Sequence, residues 1–405
     1  ERESLTVLVM IRAGSKDEFE GKWGVAHFLE HFVFKGTNKY PKVNDITKVI
    51  DGIGGRQNAF TWTDFTGFWV KVAKDQMEKG LDVVSQLVCE PLLPEGELAK
   101  EKGTIIQEIK MGEDSYPRKA WEVFQEIVFP DSTIGRPVIG FEKTVVGVKI
   151  KDLISFRDRW YSPKNMILVL SGNLSGAENL MEMLEEKFGS LKGKSEERKQ
   201  EDGSQFFTQD SPRVSVVNKK TEQAHLVMGV RTFGYEDERV YPLWVMNQIL
   251  GGNMSSRLWN EVREKRGLAY YVGSNFHNHN QIGALAARAG VKLNKVEEAI
   301  MVIKEELVKL AVEKVSEEEL EMGKEGVKGG LRLDLEDSQE VAEMVAEDWV
   351  MRKGKIRGVE EIIEKVDKVS ASEILKVAKE VINEKQLNLS LVGPFKSKDR
   401  FESLL

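Results

Sequence analysis

The residues with the clearest chemical potential are His27 and His31, with Glu30 between them in the run His27-Phe28-Leu29-Glu30-His31. Apolar residues at Val25, Phe28, Leu29 and Phe32 give residues 24–34 a helical period. On a helix, a spacing of four puts both imidazoles on one face, with Cβ atoms about 6 Å apart. Two such rings can share one ion, and zinc accepts imidazole nitrogen and carboxylate oxygen at about 2.0–2.2 Å. Glu30 then stands beside the metal, placed to take a proton from a water and return it to a leaving group. The same spacing also suits two histidines of an ordinary amphipathic helix, but the chain has only five histidines and two stand here. A zinc site needs a third protein ligand, and a carboxylate would serve. Glu108 lies in a second helical stretch, 95–112, with 76 residues between it and His31; Glu101 is two turns earlier on the same face.

Other elements must hold these groups. Leu5 to Ile11 is apolar and β-branched and reads as a buried strand. Residues 58–72 alternate through Phe60, Trp62, Phe65, Phe68 and Val70, reading as a strand followed by a tight Thr-Gly turn. Residues 76–88 have helical periodicity, and Met166 to Leu170 is a further strand. Residues 189–211 are charged, dotted with Gly and Ser, and almost free of apolar side chains, which marks a connector. The plan then repeats: strands at 214–217 and 224–230, a helix at 241–251, strands around Tyr270 and Ala284, and a helix at 295–310. Both halves close on a helix followed by a strand ending in glycine, at 152–172 and at 372–393, as a duplicated α+β unit would.

Composition narrows the function classes. With 405 residues, 41% of them apolar, the chain can bury a sizeable core, and its formal charge of -7 with no dense basic run argues against nucleic acid. No run approaches the ~20 apolar residues of a membrane span. One cysteine, Cys89, excludes an intrachain disulfide, reads as a small buried hydrophobe, and fits a reducing, cytoplasmic compartment. The glycine-rich run 326–330 lacks the pattern of a phosphate loop. His277 and His279 alternate as strand neighbours do, but a polar hairpin tip explains them better than a second metal.

The motif and its surroundings resemble the pitrilysin and insulin-degrading-enzyme family of zinc peptidases (inverzincins), in the short-chain branch that includes mitochondrial processing peptidase. The resemblance rests on H-x-x-E-H, on the 76 residues before Glu108, on Glu101 seven positions earlier, and on the wording Ala26 to His31 followed by Phe34-Lys35-Gly36-Thr37. It implies His27, His31 and Glu108 as ligands of one zinc ion per chain, Glu30 as the general base, and Glu101 as an acid orienting the site. Gly54 to Thr61 is similar to the family's segment ending Asn-Ala-aromatic-Thr, which implies that Asn58, Ala59 and Phe60 belong to an edge strand pairing with substrate backbone. Residues 255–270 are similar to its Arg…Tyr segment, which implies that Arg263 and Tyr270 contact the scissile carbonyl or its oxyanion. The resemblance also implies a further segment ahead of Leu5, so the first strand is expected to lack a partner.

The fold expected is α+β: two homologous domains, each a sheet with helices packed on it, facing each other across a chamber. The boundaries expected are 1–189, a linker at 190–210, and 211–405. The function expected is endoproteolysis of unfolded peptides or small polypeptides, by a chain that carries both metal motif and Arg/Tyr pair and so works alone or as a homodimer. The rival is a non-catalytic scaffold or regulatory subunit of a processing-peptidase-like complex.

Overall fold

A computed structural model describes residues 3–175, 177–193 and 209–405. The core of the expected linker, 194–208, lies outside the described residues. Two compact units form, one from residues 1–110, 137–199 and 333–356, the other from 111–136, 200–332 and 357–405. The observed architecture is the expected α+β in two sheets.

The first unit is built on β1 (Ser4–Ile11), β2 (Arg56–Thr61), β3 (Thr66–Ala73) and β4 (Met166–Gly172), in the spatial order β2-β3-β1-β4. β1 has antiparallel partners on both sides, from Ser4↔Ala73 to Ile11↔Thr66 with β3 and from Leu5↔Gly172 to Ile11↔Met166 with β4. The expectation of an unpartnered first strand is therefore corrected: the sheet closes around β1 by using the distant strand β4. β1 is buried on both faces, which is why it reads as a continuous apolar run rather than an alternation. Leu5, Val7, Val9 and Ile11 enter the core with α1 (Val25–Phe32), α2 (Asp45–Asp51) and α3 (Met77–Cys89). Thr6 points the other way and shares a 2.9 Å hydrogen bond with Ser338 of the helix Ser338–Met351.

The expected Thr-Gly turn is also corrected. The reversal lies at residues 62–65, and Thr66 and Gly67 are the first residues of β3. Gly67 is needed for packing: a Cβ there would stand 2.3 Å from the ring of Phe60, which lies across it from the neighbouring strand.

The second unit has β5 (Arg213–Asn218), β6 (Gln223–Phe233), β7 (Ala269–Asn278), β8 (Ile282–Lys292) and β9 (Asn388–Gly393), ordered β5-β9-β6-β8-β7. Leaving out β5, this is the order of the first sheet with β6, β7, β8 and β9 in the places of β1, β2, β3 and β4, as a duplication requires. Following α4 (Leu98–Asp114), α5 (Tyr116–Val128) covers one face of this sheet, placing Ala120, Phe124 and Val128 against Val227, Ala284, Ala286 and Val392. Ser390 Oγ donates to the carbonyl of Ala120 at 2.6 Å.

Each unit is assembled from three separate stretches of the chain. Each sheet has two apolar faces, and the helices local to it cover one. The second is covered by a helix from elsewhere in the chain: Ser338–Met351 for the first sheet, α5 for the second. Among the described residues, no helix is long and apolar enough to cross a membrane.

Candidate metal centre

Helix α1 presents the two histidines. It starts at Gly24, whose φ of 94° lies in the left-handed region and whose Cβ position is filled by the carbonyl of Ile139 at 2.5 Å. The carboxylate of Glu18 accepts from the Gly24 and Ala26 N–H groups, both at 2.9 Å, satisfying donors that a helix N-terminus leaves open. Val25, Ala26, Phe28, Leu29 and Phe32 are buried in the core, so the opposite face, with His27 and His31, is held rigidly. Burying Phe28 or Leu29 contributes about 1.5–3 kcal/mol each.

The rings of His27 and His31 are 4.6 Å apart, centroid to centroid. His27 Nε2 is 3.7 Å from Glu108 Oε1, and His31 Nε2 is 3.7 Å from Glu108 Oε2. The three candidate ligand atoms all lie within 4.8 Å of one another, and among the described residues this is the one such cluster. Ligands about 2.1 Å from a tetrahedral ion are separated by about 3.4 Å. The donor set and its spacing therefore fit zinc after small side-chain adjustments. The local field agrees. Burial works against protonating His31, yet its hydrogen bond to Glu101 and the charges of Glu30, Glu101 and Glu108 together raise its affinity for a proton, as a site favouring a cation would.

Glu101 behaves as a supporting acid. It is 2% exposed, accepts from His31 Nδ1 at 2.9 Å, and ion-pairs with Lys35 at 2.5 Å through its other oxygen. A hydrogen bond at Nδ1 leaves Nε2 as the nitrogen available for a metal. Glu30 is buried; burial pushes its carboxyl above the usual range, against the opposing hydrogen bond from Thr61 and the His31 charge. A carboxylate whose proton affinity is raised is a better proton acceptor than an ordinary one.

Asn58, Ala59 and Phe60 lie on β2, at the edge of the first sheet, paired through β3 to Trp69, Phe68 and Gly67. Arg263 and Tyr270 belong to the second unit. Arg263 sits in the π-helical turn Trp259–Glu264, its guanidinium 4.0 Å from the ring centre of Trp259 and 6.0 Å from that of Tyr270. Tyr270 is 77% exposed because it is the extra residue of a β-bulge, skipped between the pairs Ala269↔Val291 and Tyr271↔Gly290.

The other candidates resolve simply. The Cys89 thiol is pushed up to about 12, chiefly by burial, which disfavours the nucleophilic thiolate. His277 and His279 do lie at the end of the β7–β8 hairpin, but packed rather than solvated: His277 is tilted against Trp121 at 4.6 Å and His279 meets Phe129 edge-on at 5.7 Å between ring centres, and burial pushes His277 down to about 4. Sequence reasoning did not assign Lys35 or Thr61 a role, though Lys35 stands one helical turn beyond His31 and Thr61 closes the quoted Asn-Ala-Phe-Thr run.

Residues 1–141 match the family described as Insulinase (Peptidase family M16), and residues 147–327 match the Peptidase M16 inactive domain. A protein of Mycobacterium leprae (strain TN), named an uncharacterized zinc protease, is 32% identical over 98% of this chain and 88% of its own length. In fold, a protease from Helicobacter pylori superposes with a TM-score of 0.88 at 24% identity, covering 97% of this chain and 95% of that one. A chain of complex III2 from Candida albicans superposes with a TM-score of 0.82 at 16% identity, covering 100% and 94%. The chain belongs to peptidase family M16, the insulinase family, whose matched relatives include proteins named as zinc proteases.

Proposed function

We propose that the chain is a zinc-dependent endopeptidase acting on unfolded peptides or small polypeptides, with one zinc held by His27, His31 and Glu108. The observation that carries this reading is the convergence of both Nε2 atoms on the two oxygens of Glu108, each at 3.7 Å, with the buried carboxyl of Glu30 one residue from His31. Zinc bound there would supply a Lewis acid for the peptide carbonyl and lower the pKa of a water. Glu30 takes the proton from the attacking water and passes it to the leaving amine. Glu101 keeps His31 oriented through Nδ1, and the free edge of β2 offers Asn58 to Phe60 as a template for an extended peptide. Arg263 and Tyr270 are assigned to substrate, as donors to the carbonyl oxygen. With ligands, base and this pair on one chain, no second kind of subunit is required, and a monomer or homodimer should be active.

The test is zinc content measured together with cleavage of a quenched fluorescent peptide library, with and without a chelator. One zinc per chain and chelator-sensitive internal cleavage are expected. Stoichiometric zinc with no cleavage of any peptide would remove the peptidase reading. It would favour the second reading, a non-catalytic subunit, which the whole-chain likeness to a chain of complex III2 keeps in view.

A further inference from the structure

We propose that Lys35 is a positioning residue of the metal centre, holding Glu101 so that Glu101 can hold His31. The proposal rests on the zinc site described above and adds a residue to it.

Three groups form a chain of contacts. His31 Nδ1 is 2.9 Å from Glu101 Oε1, and Lys35 Nζ is 2.5 Å from Glu101 Oε2. Glu101 is 2% exposed in its side chain and Lys35 only 18%, so this pair is withdrawn from water. Lys35 lies four residues beyond His31, in the 3-10 turn Val33–Lys35 that continues α1, and therefore on the histidine face. Both contacts to Glu101 thus come from one stretch of chain, while Glu101 and the ligand Glu108 come from α4.

The charge arithmetic gives Lys35 its role. A histidine that ligates a metal through Nε2 is a neutral imidazole that donates its Nδ1–H. It then brings no positive charge to Glu101. Among the described residues, Lys35 is the one formal cation paired with this buried carboxylate. A buried carboxylate without a compensating charge is strongly unfavourable. Lys35 neutralises Glu101 and occupies its second oxygen, which leaves Oε1 aimed at Nδ1. Replacing the ammonium with an apolar group leaves Glu101 uncompensated, and the carboxylate is then free to turn away from His31 toward water. His31 loses the bond that fixes its ring, and the metal loses an oriented ligand.

The experiment reads zinc affinity directly, without substrate, by competition with a chromophoric chelator on the full chain. Lys35→Met keeps most of the aliphatic stem and removes the charge. It should weaken zinc binding about 10–100-fold, the usual effect of losing a residue that supports a ligand. Lys35→Arg, which restores a cation, should stay within about threefold of the unsubstituted chain. Lys16→Met is the structural control: Lys16 ion-pairs with the buried Asp64, another withdrawn pair in the same unit. It should lower thermal stability and leave zinc affinity within about threefold. If Lys35→Met does not fold, Lys35→Gln is read in its place. Unchanged affinity in Lys35→Met or Lys35→Gln would overturn the proposal, as would an equal loss in Lys16→Met or in Lys35→Arg. Because no peptide is involved, a chain that binds zinc but cleaves nothing would count against the peptidase reading alone. A chain that takes up no zinc would overturn the ligand assignment and this proposal together.

Discussion

Thr61 Oγ1 donates a hydrogen bond to Glu30 Oε2 at 2.5 Å, joining the last residue of edge strand β2 to the acid inside H-x-x-E-H. The bond opposes the rise that burial imposes on the Glu30 carboxyl and holds one oxygen in place, leaving the other for water. The strand proposed to take the peptide and the proposed base are thereby joined directly. Thr61→Val, which keeps the shape and removes the hydroxyl, should lower kcat about tenfold, the worth of about one hydrogen bond. Zinc content should not change, and Thr61→Ser should recover most of the rate. Steady-state kinetics on one fluorogenic peptide decide the matter, and an unaltered kcat in Thr61→Val would show the bond to be idle.

Glu30→Gln tests the base itself. The proposed ligands His27, His31 and Glu108 are untouched, so zinc should remain stoichiometric by atomic absorption, while kcat falls by about 10²–10⁴. Normal turnover would remove Glu30 from the mechanism.

Tyr270 is the most informative target in the second unit, because a bulge turns it outward and nothing in its packing would explain a kinetic effect. Tyr270→Phe deletes one hydroxyl from an exposed ring, so the fold should be unaffected. A donor to the developing oxyanion lowers kcat more than it raises KM when lost. A change confined to KM would assign Tyr270 to ordinary substrate binding.

The pH dependence of stability should carry the mark of His277. Burial, with the nearby charges of His279 and Arg288, pushes its imidazole down to about 4, against about 6.5 in an unfolded chain. Between those values the unfolded state binds more protons than the native one. Stability is therefore full above about pH 6.5 and is lost as pH falls toward 4, by up to about 1.4 kcal/mol per pH unit. His225, also pushed down by burial, adds in the same direction. Urea midpoints measured across this range should slope for the unaltered chain and slope less for His277→Phe. Parallel curves would show that His277 is protonated as readily in the native state as in the unfolded one.

Much of the geometry of the candidate site was legible because its signals are local. His27, Glu30 and His31 fall within five residues, and the apolar positions Val25, Phe28, Leu29 and Phe32 settle both the helix and the face that carries the imidazoles. β1 and the α3 and α4 helices follow from runs of a single period. What was not legible depends on contacts distant in sequence. No pattern in residues 116–128 says that α5 covers the second sheet, since an amphipathic helix declares that it has an apolar face but not which face it meets. Thr66-Gly67 carries turn chemistry and sits in a strand, because the ring of Phe60 needs the space over Gly67. His277 and His279 look like residues of a polar hairpin end until Trp121 and Phe129 are laid against them. The bulge at Tyr270 is equally silent in sequence.

The helix Ser338–Met351 packs on β1 and β4 and is tied down by the bonds of Ser338 to Thr6 and Asp337 to Lys71, at 2.9 and 2.8 Å. On the ribosome, the first unit would thus lack cover for one face of its sheet until residue 351 has emerged, by which time most of the second unit has already been made. Such a nascent unit would expose Leu8 and Met10, which share the face of Thr6, for most of translation. A gene cut at the duplication boundary would leave the same surface open permanently. The late helix therefore ties completion of the first unit's fold to synthesis of most of the second.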